Sequence, residues 1–217
     1  MDIRFYILCI SAAAAAYLLG GLNPAIIISK ALYRQDIRKL GSGNPGFTNF
    51  KRVYGLNPAS VSVMLLDILK TAVPAFTASV IFGSLYGMPQ FGAAFTGLFG
   101  MLGHCFPVWY GFKGGKAFMA GFATIWFVDW RMALIAMAVF FAVLFTLRYM
   151  SVASCVASAT CPVALLIIML VTGSFDAKVW ILCLLSAALV IVRHKSNFEK
   201  LKNHTESKFY LKSKKQS

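Results

Sequence analysis

The sequence predicts an all-α fold: a polytopic integral membrane helix bundle of about seven transmembrane helices, N-terminus outside and C-terminus cytoplasmic. Three observations carry that expectation. Of the 217 residues, 59% are hydrophobic and only 13% charged, whereas an ordinary soluble domain carries about 25% charged residues. The apolar residues fall in several runs of roughly 15–20, long enough to cross a hydrocarbon core of about 30 Å as helices. Those runs lack the strict alternation of a barrel strand, and backbone in lipid must satisfy its polar groups internally, so they are helical. Residues 1–217 read as one membrane-embedded domain with a basic tail from Arg193 to Ser217.

The first apolar segment runs from Phe5 to Ser29 and contains Ala12–Ala16 followed by Tyr17-Leu18-Leu19-Gly20. It has little basic n-region and continues past any cleavage site, so it reads as a retained helix and not a signal peptide. Its small residues suit close helix contact in lipid, and Asn23-Pro24 marks a kink or break. Lys30 to Asn57 is polar. Pro58 to Phe82, the second span, carries Asp67 and Lys70 on one helical face. Charges inside a span pair, face the interior or reach the interface; Lys70 is either Asp67's structural partner or a substrate contact. The uncharged Gly83–Gln90 loop precedes a glycine-rich span, Phe91 to Phe112. Ala117 to Val128 is apolar but short for a crossing and reads as a half-helix or re-entrant segment if not a full span. Met132 to Leu147, Ser151 to Val171 and Lys178 to Val192 complete the set; merging the short segment with a neighbour leaves five crossings.

Charge supplies the orientation. Of 21 Lys and Arg residues, all but Arg4, Lys70, Arg131 and Lys178 lie in residues 30–57, residues 113–116, Arg148 or the tail. Seven crossings put these segments on one side, which the positive-inside rule makes cytoplasmic. The net charge of +14 is therefore topological, and no soluble basic module remains to bind nucleic acid. Cys9, Cys105, Cys155, Cys161 and Cys183 lie in or beside apolar runs without metal spacing, so neither a disulfide framework nor a metal site is expected. No cofactor is expected either.

Between the first two spans lies Gly41-Ser42-Gly43-Asn44-Pro45-Gly46-Phe47-Thr48-Asn49-Phe50-Lys51-Arg52. Such residues build connecting loops for conformational reasons alone. They also suit an oxyanion: glycines permit tight turns that offer N–H groups, and Ser42, Asn44, Thr48, Asn49, Lys51 and Arg52 add donors and charge. A second cationic turn, Lys113-Gly114-Gly115-Lys116, and the start of the basic tail lie at the same face. Two glycine turns with several cations can surround one anionic site. The spacing of a Walker A loop is absent.

Three motifs, in order and in spacing, resemble those of the bacterial membrane-embedded acyl-phosphate:glycerol-3-phosphate acyltransferases. The first is Gly41–Asn49 with Arg52, followed by Leu66-Asp67-Ile68-Leu69-Lys70. The second is His104-Cys105-Phe106-Pro107 with Phe112-Lys113-Gly114-Gly115-Lys116. The third is Arg193-His194-Lys195-Ser196-Asn197, with Leu201 and Thr205-Glu206 beyond. Tyr17–Gly20 and Tyr149–Ser154 also look familial, so the resemblance covers nearly the whole chain.

The resemblance implies transfer of a fatty acyl group from acyl-phosphate to the 1-hydroxyl of glycerol-3-phosphate, giving lysophosphatidic acid and phosphate. It implies a multi-pass protein of the bacterial inner membrane with its site facing the cytoplasm. Its partners would be the two substrates, membrane lipids and an enzyme that produces acyl-phosphate. Ser42, Thr48 and Arg52 would bind phosphate and orient the acyl carbonyl. Gly114, Gly115 and Lys116 would hold the second phosphate and offset charge in the transition state, and His194 and Asn197 would complete the polar wall. Gly43, Asn44, Gly46, Asn49, Lys70 and Lys113 join the substrate-binding set. No residue stands out as a general base, and the donor's phosphate has been proposed to take the proton. Glu206 either anchors the tail through a cation or stands exposed, and Lys208 to Ser217 would meet anionic headgroups.

The chain departs from the family pattern at four places. Phe47 stands where alanine is usual, Ala117 and His204 where glycine is usual, and Ala120 where threonine is usual. A glycine that supplied a positive φ would leave Ala117 strained. Two alternatives stay open: a divergent copy with altered or weak acyltransferase activity, and an anion or organophosphate transporter. Transport is disfavoured because no clear inverted repeat is seen and the cations gather at one face.

Overall fold

The computed structural model describes residues 2–210, and among these it contains ten α-helices and no strand. α1 (Ile3–Gly21) and α2 (Pro24–Tyr33) divide the first apolar segment. The break has a local cause. The Asn23 side chain accepts the Ile26 N–H and caps α2, and Pro24 needs no donor at the first helical position. α3 (Phe47–Tyr54) follows the glycine loop. α4 (Pro58–Tyr86) starts at a reciprocal cap between Asn57 and Ser60 and stops at Gly87, whose φ of 67° is left-handed. α5 (Pro89–Cys105), α6 (Phe118–Val128), α7 (Trp130–Leu147), α8 (Met150–Thr172), α9 (Ala177–Arg193) and α10 (Lys195–Lys202) complete the order. Asp129 and Asp176 cap α7 and α9 with their carboxylates.

Five stretches are long and apolar enough to cross a membrane: Ile3–Tyr33, Pro58–Tyr86, Pro89–Tyr110, Trp130–Leu147 and Met150–Thr172. α9 and α10, bent by 46° from one another, make a sixth if taken as one broken span. With 11 residues, α6 reaches only about 16 Å at 1.5 Å per residue, half a hydrocarbon core. It is the short segment expected there. α3 and α10 are helices that the sequence reading left within polar segments.

Small residues let the bundle close. A Cβ on Gly20 would overlap the Gly100 carbonyl, one on Gly103 the Tyr17 carbonyl, and one on Gly92 the Ala78 carbonyl. α1 and α5, and α4 and α5, thus approach backbone to backbone. A second core joins α5 to α9 through Ala93, Val128, Met132, Ala136, Leu165, Met169 and Val179. All five cysteines are free thiols, four of them buried. Gly20→Val should force α1 off α5, lowering stability by about 1–3 kcal/mol or more and the unfolding temperature of the detergent-solubilised protein with it. An unchanged midpoint would contradict the close approach.

Candidate active site

Two buried asparagines shape the glycine loop. Asn49, 1% exposed, accepts the Ser42 N–H at 2.8 Å through Oδ1 and donates Nδ2 to the Leu40 carbonyl at 3.0 Å. Asn23 donates to the Pro45 carbonyl at 3.0 Å. Gly41 and Gly43 take φ of 57° and 74°, which glycine adopts without a Cβ penalty. The Gly43 and Gly46 N–H groups turn back onto the Leu40 and Asn44 carbonyls. The Gly43 and Gly46 amides are therefore not open donors. The first turn of α3, Phe47, Thr48 and Asn49, is capped by no side chain and carries the positive end of the helix dipole. Ser42 Oγ, Thr48 Oγ1 and the Arg52 guanidinium have no hydrogen-bond partner among the described residues.

The second turn is more tightly tied. Gly114 N–H donates to the Cys105 carbonyl at 3.2 Å and Gly115 N–H to the His104 carbonyl at 3.0 Å. Arg193 donates Nε to the Gly115 carbonyl and Nη2 to the Gly114 carbonyl, at 3.1 and 3.2 Å, and lies 4.9 Å over the Phe106 ring. A Cβ at Gly114 would strike the His104 carbonyl, and one at Gly115 the His104 ring. The two glycine amides expected to cradle a phosphate are thus already bonded to α5 carbonyls. The glycines are there because α5 leaves no room for a Cβ, and what the turn offers is Lys116. Its ammonium donates to Asn197 Oδ1, and burial pushes it down to about 8 against the nearby Glu206 carboxylate.

The third wall comes from the chain's end. Asn197 Nδ2 donates to Glu206 Oε1 at 2.7 Å, and Ser151 Oγ donates to the same oxygen at 3.1 Å. Glu206 is therefore an anchor, through neutral donors and not a cation. His194, 5% exposed, has Nδ1 2.8 Å from the Val190 carbonyl, an arrangement that places a proton on Nδ1. The tail then crosses to α7 and α8. Phe209 N–H donates to the Arg148 carbonyl at 2.6 Å, and Lys51 of α3 lies 4.7 Å over the Phe209 ring. His204 is exposed as expected. Of the stretch expected at headgroups, residues 211–217 lie outside the described residues.

These walls enclose a cleft of about 1380 Å³. Ser42, Gly43, Asn44, Gly46, Thr48, Asn49, Arg52, Gly114, Lys116, His194 and Asn197 all line it, so most of the expected set converges. Its other side is apolar, with Phe118, Met119, Phe140, Phe141, Leu144 and Phe145. Three expected residues do not line it. Lys113 is exposed, Gly115 is buried against His104, and Lys70 is half-buried beside Asp67 and His104, which do line it. Lys70 Nζ is 2.7 Å from the Leu22 carbonyl, 2.9 Å from His104 Nδ1 and 2.9 Å from Asp67 Oδ1, the structural pairing weighed for it. That carboxylate contact is close but is not an aligned hydrogen bond.

Three site features escaped the sequence reading: the open N-terminal turn of α3, the Arg193 clamp and the Ser151–Glu206 contact. Phe47, Phe50, Val53 and Tyr54 recur at helical spacing, a signal that would have exposed α3; the other two join distant segments and leave no local trace. Of the departures from pattern, Ala117 and His204 both take left-handed φ, 58° and 55°. Ala120 is buried in the core and its carbonyl accepts from Thr71 Oγ1 at 3.1 Å. Phe47 packs on the loop core and edges the cleft.

The described residues thus form a helical membrane bundle whose cleft is lined by cations and by apolar side chains. The family described as glycerol-3-phosphate acyltransferase matches residues 10–204. A glycerol-3-phosphate acyltransferase of Francisella tularensis subsp. tularensis is 35% identical over 193 residues, 89% of each chain. The crystal structure of PlsY (YgiH), an integral membrane glycerol 3-phosphate acyltransferase, in its glycerol 3-phosphate form superposes with a TM-score of 0.80 at 33% identity, covering 93% of this chain and 96% of that one. Its lysophosphatidic acid form gives 0.77 at 31% identity, with 93% and 95% covered. The chain belongs to the glycerol-3-phosphate acyltransferase family.

Ala117→Gly should remove a left-handed alanine. That conformation costs about 1–2 kcal/mol, partly offset by the roughly 0.5–1 kcal/mol entropic penalty of glycine. A gain of about 0.5–1 kcal/mol, read as a higher unfolding midpoint, is expected; a lower midpoint would contradict the strain.

Proposed function

We propose that this chain transfers a fatty acyl group from acyl-phosphate to the 1-hydroxyl of glycerol-3-phosphate, giving lysophosphatidic acid and phosphate. The observation that carries the reading is the cleft's two natures. Its polar end gathers the α3 amides, Ser42, Thr48, Arg52, Lys116 and Asn197, and its other side is an aromatic and aliphatic wall. One phosphate lies at the α3 N-terminus with Ser42, Thr48 and Arg52, where helix dipole and guanidinium both favour an anion. The other is held by Lys116, with Asn197 and His194 beside it, and the fatty chain follows the apolar wall.

The substrate hydroxyl attacks the acyl carbonyl, the carbon–oxygen bond to phosphate breaks, and the hydroxyl proton leaves with the departing phosphate. No side chain is required as base. The protein supplies orientation, and Lys116 and the α3 amides oppose the charge that grows on the carbonyl and leaving oxygens. The concentration of Lys and Arg at this face supports a cytoplasmic orientation, and the bacterial relatives support an inner-membrane location. An acyl-phosphate-producing enzyme would supply the donor from that side.

Purified protein given acyl-phosphate and labelled glycerol-3-phosphate should form lysophosphatidic acid. Acylation supported by acyl-CoA alone would refute the donor, and glycerol-3-phosphate flux into proteoliposomes without acylation would make the protein a transporter. Ser42→Ala and Arg52→Ala should each lower kcat/KM by roughly 10- to 1000-fold; wild-type turnover in both would remove these residues from the site.

A pH dependence follows from Lys116. Its ammonium is charged below about 8 and neutral above, so kcat/KM, which reports the free enzyme, should fall as pH rises through that value. Lys116→Arg should move this limb to higher pH, because guanidinium stays charged. A limb that stays near 8 in that variant would belong to another group.

A further inference from the structure

We propose that Lys70 is a positioning residue: acting through the His104 ring, it fixes the Gly114–Gly115 turn and thereby the place of Lys116 in the cleft. This rests on the acyltransferase reading above for its kinetic consequence, though not for its geometry. Lys70 is an intramembrane cation whose side chain is only 7% exposed, and it does not line the cleft. Its ammonium joins three helices: the Leu22 carbonyl at the end of α1, Asp67 on α4 and His104 Nδ1 at the end of α5.

An ammonium only donates, so at 2.9 Å His104 Nδ1 is the acceptor and the ring proton sits on Nε2. The Asp67 oxygen is 3.6 Å from Nδ1, beyond hydrogen-bond reach, and does not compete for that position. Lys70 thus selects both the tautomer and the plane of the imidazole. The same ring is what a Cβ at Gly115 would strike at Nε2, so it forms the floor under the turn. The His104 carbonyl holds the Gly115 N–H from below, and Arg193 holds the Gly114 and Gly115 carbonyls from the other side. Turn height is set between His104 and Arg193, and Lys116 is the next residue. Groups facing Lys116 are Glu206 of the tail, Lys200 and Asn197 of α10, Arg193 of α9 and Cys155 of α8. A lowered or tilted turn changes its distance to all of them.

The test compares five full-length proteins: wild type, Asp67→Leu/Lys70→Met, His104→Leu, the triple variant and His104→Asn. Pairing Asp67→Leu with Lys70→Met avoids stranding a buried carboxylate. The double variant and His104→Leu should each lose roughly 100-fold in kcat/KM, the scale of a 1 Å misplacement. The triple should be no worse, since all three break one linkage. His104→Asn, which keeps an acceptor near Nδ1, should recover most of the loss. In both damaged variants the alkaline limb should move upward as Lys116 becomes better solvated. Losses that multiply in the triple, or a KM for glycerol-3-phosphate that rises with kcat and the limb in place, would make Lys70 a substrate contact and overturn the proposal. Lower thermal stability with unchanged kcat, KM and limb would reduce it to a structural pair and overturn it equally. A readout independent of turnover is the pH dependence of Lys116 modification by an amine reagent, followed on its peptide by mass spectrometry. If wild type shows no acyl transfer yet this profile shifts in the variants, the functional reading falls and the brace stands. If the profiles coincide, the brace falls.

Discussion

The cleft depends on a constraint set by its surroundings: backbone polar groups in an apolar bundle must find partners within the protein. At the carboxyl end of α5 the orphan carbonyls of Cys105 and His104 are satisfied by Gly114 and Gly115. The carbonyls of that turn are satisfied in turn by Arg193. The loop before α3 is closed by its own carbonyls and by Asn49 and Asn23. Once these demands are met, donors that stay open gather along the cleft. The first turn of α3, Thr48, Ser42, Arg52 and Lys116 line the cleft beside backbone that is largely tied back on itself. A ligand rich in acceptor oxygens is the complement of that arrangement.

The same constraint gives the glycines two different reasons to exist. Gly41 and Gly43 are needed for their left-handed φ. Gly114 and Gly115 are needed because a side chain there would meet α5. Ala117 shows the difference from the other direction. It occupies a left-handed position with its side chain buried, so the obstacle is conformational and not spatial, and alanine is tolerated at modest cost. A side chain at Gly114 would have no such option, since the His104 carbonyl cannot move without opening the end of α5.

Much of the architecture was legible because hydropathy reports directly on lipid exposure. The break at Asn23-Pro24 and the short segment after Lys116 were visible as a kink signal and a length. α3 and α10 were hidden because polar helices give no long apolar run; α3 betrays itself only by the spacing of Phe47, Phe50, Val53 and Tyr54. At the site, residue type was informative and partner choice was not. Nothing local says that the Gly114 and Gly115 amides are taken by α5, or that Arg193 reaches back 78 positions to clamp Gly115. Lys70 was ambiguous for the same reason. Its pairing with Asp67 follows from helical spacing, whereas its contacts with Leu22 and His104 join helices far apart in sequence.

The two faces of the cleft are built by different parts of the chain, and this separation has a chemical consequence. Cations and open amides come from the segments before α4, after α5 and after α9, whereas the apolar wall comes from α6 and α7, where Phe118 stacks on Phe140 with centroids 5.0 Å apart. On the proposed reaction, reacting atoms would meet at a boundary between fixed positive charge and low dielectric. Charge developing at such a boundary is stabilised more strongly than in water, because the opposing dipoles need not reorient. α6 begins at Phe118, two residues after Lys116, and α7 continues the wall through Phe140, Phe141, Leu144 and Phe145. The apolar wall therefore meets the cations where the chain passes from the Lys116 turn into α6.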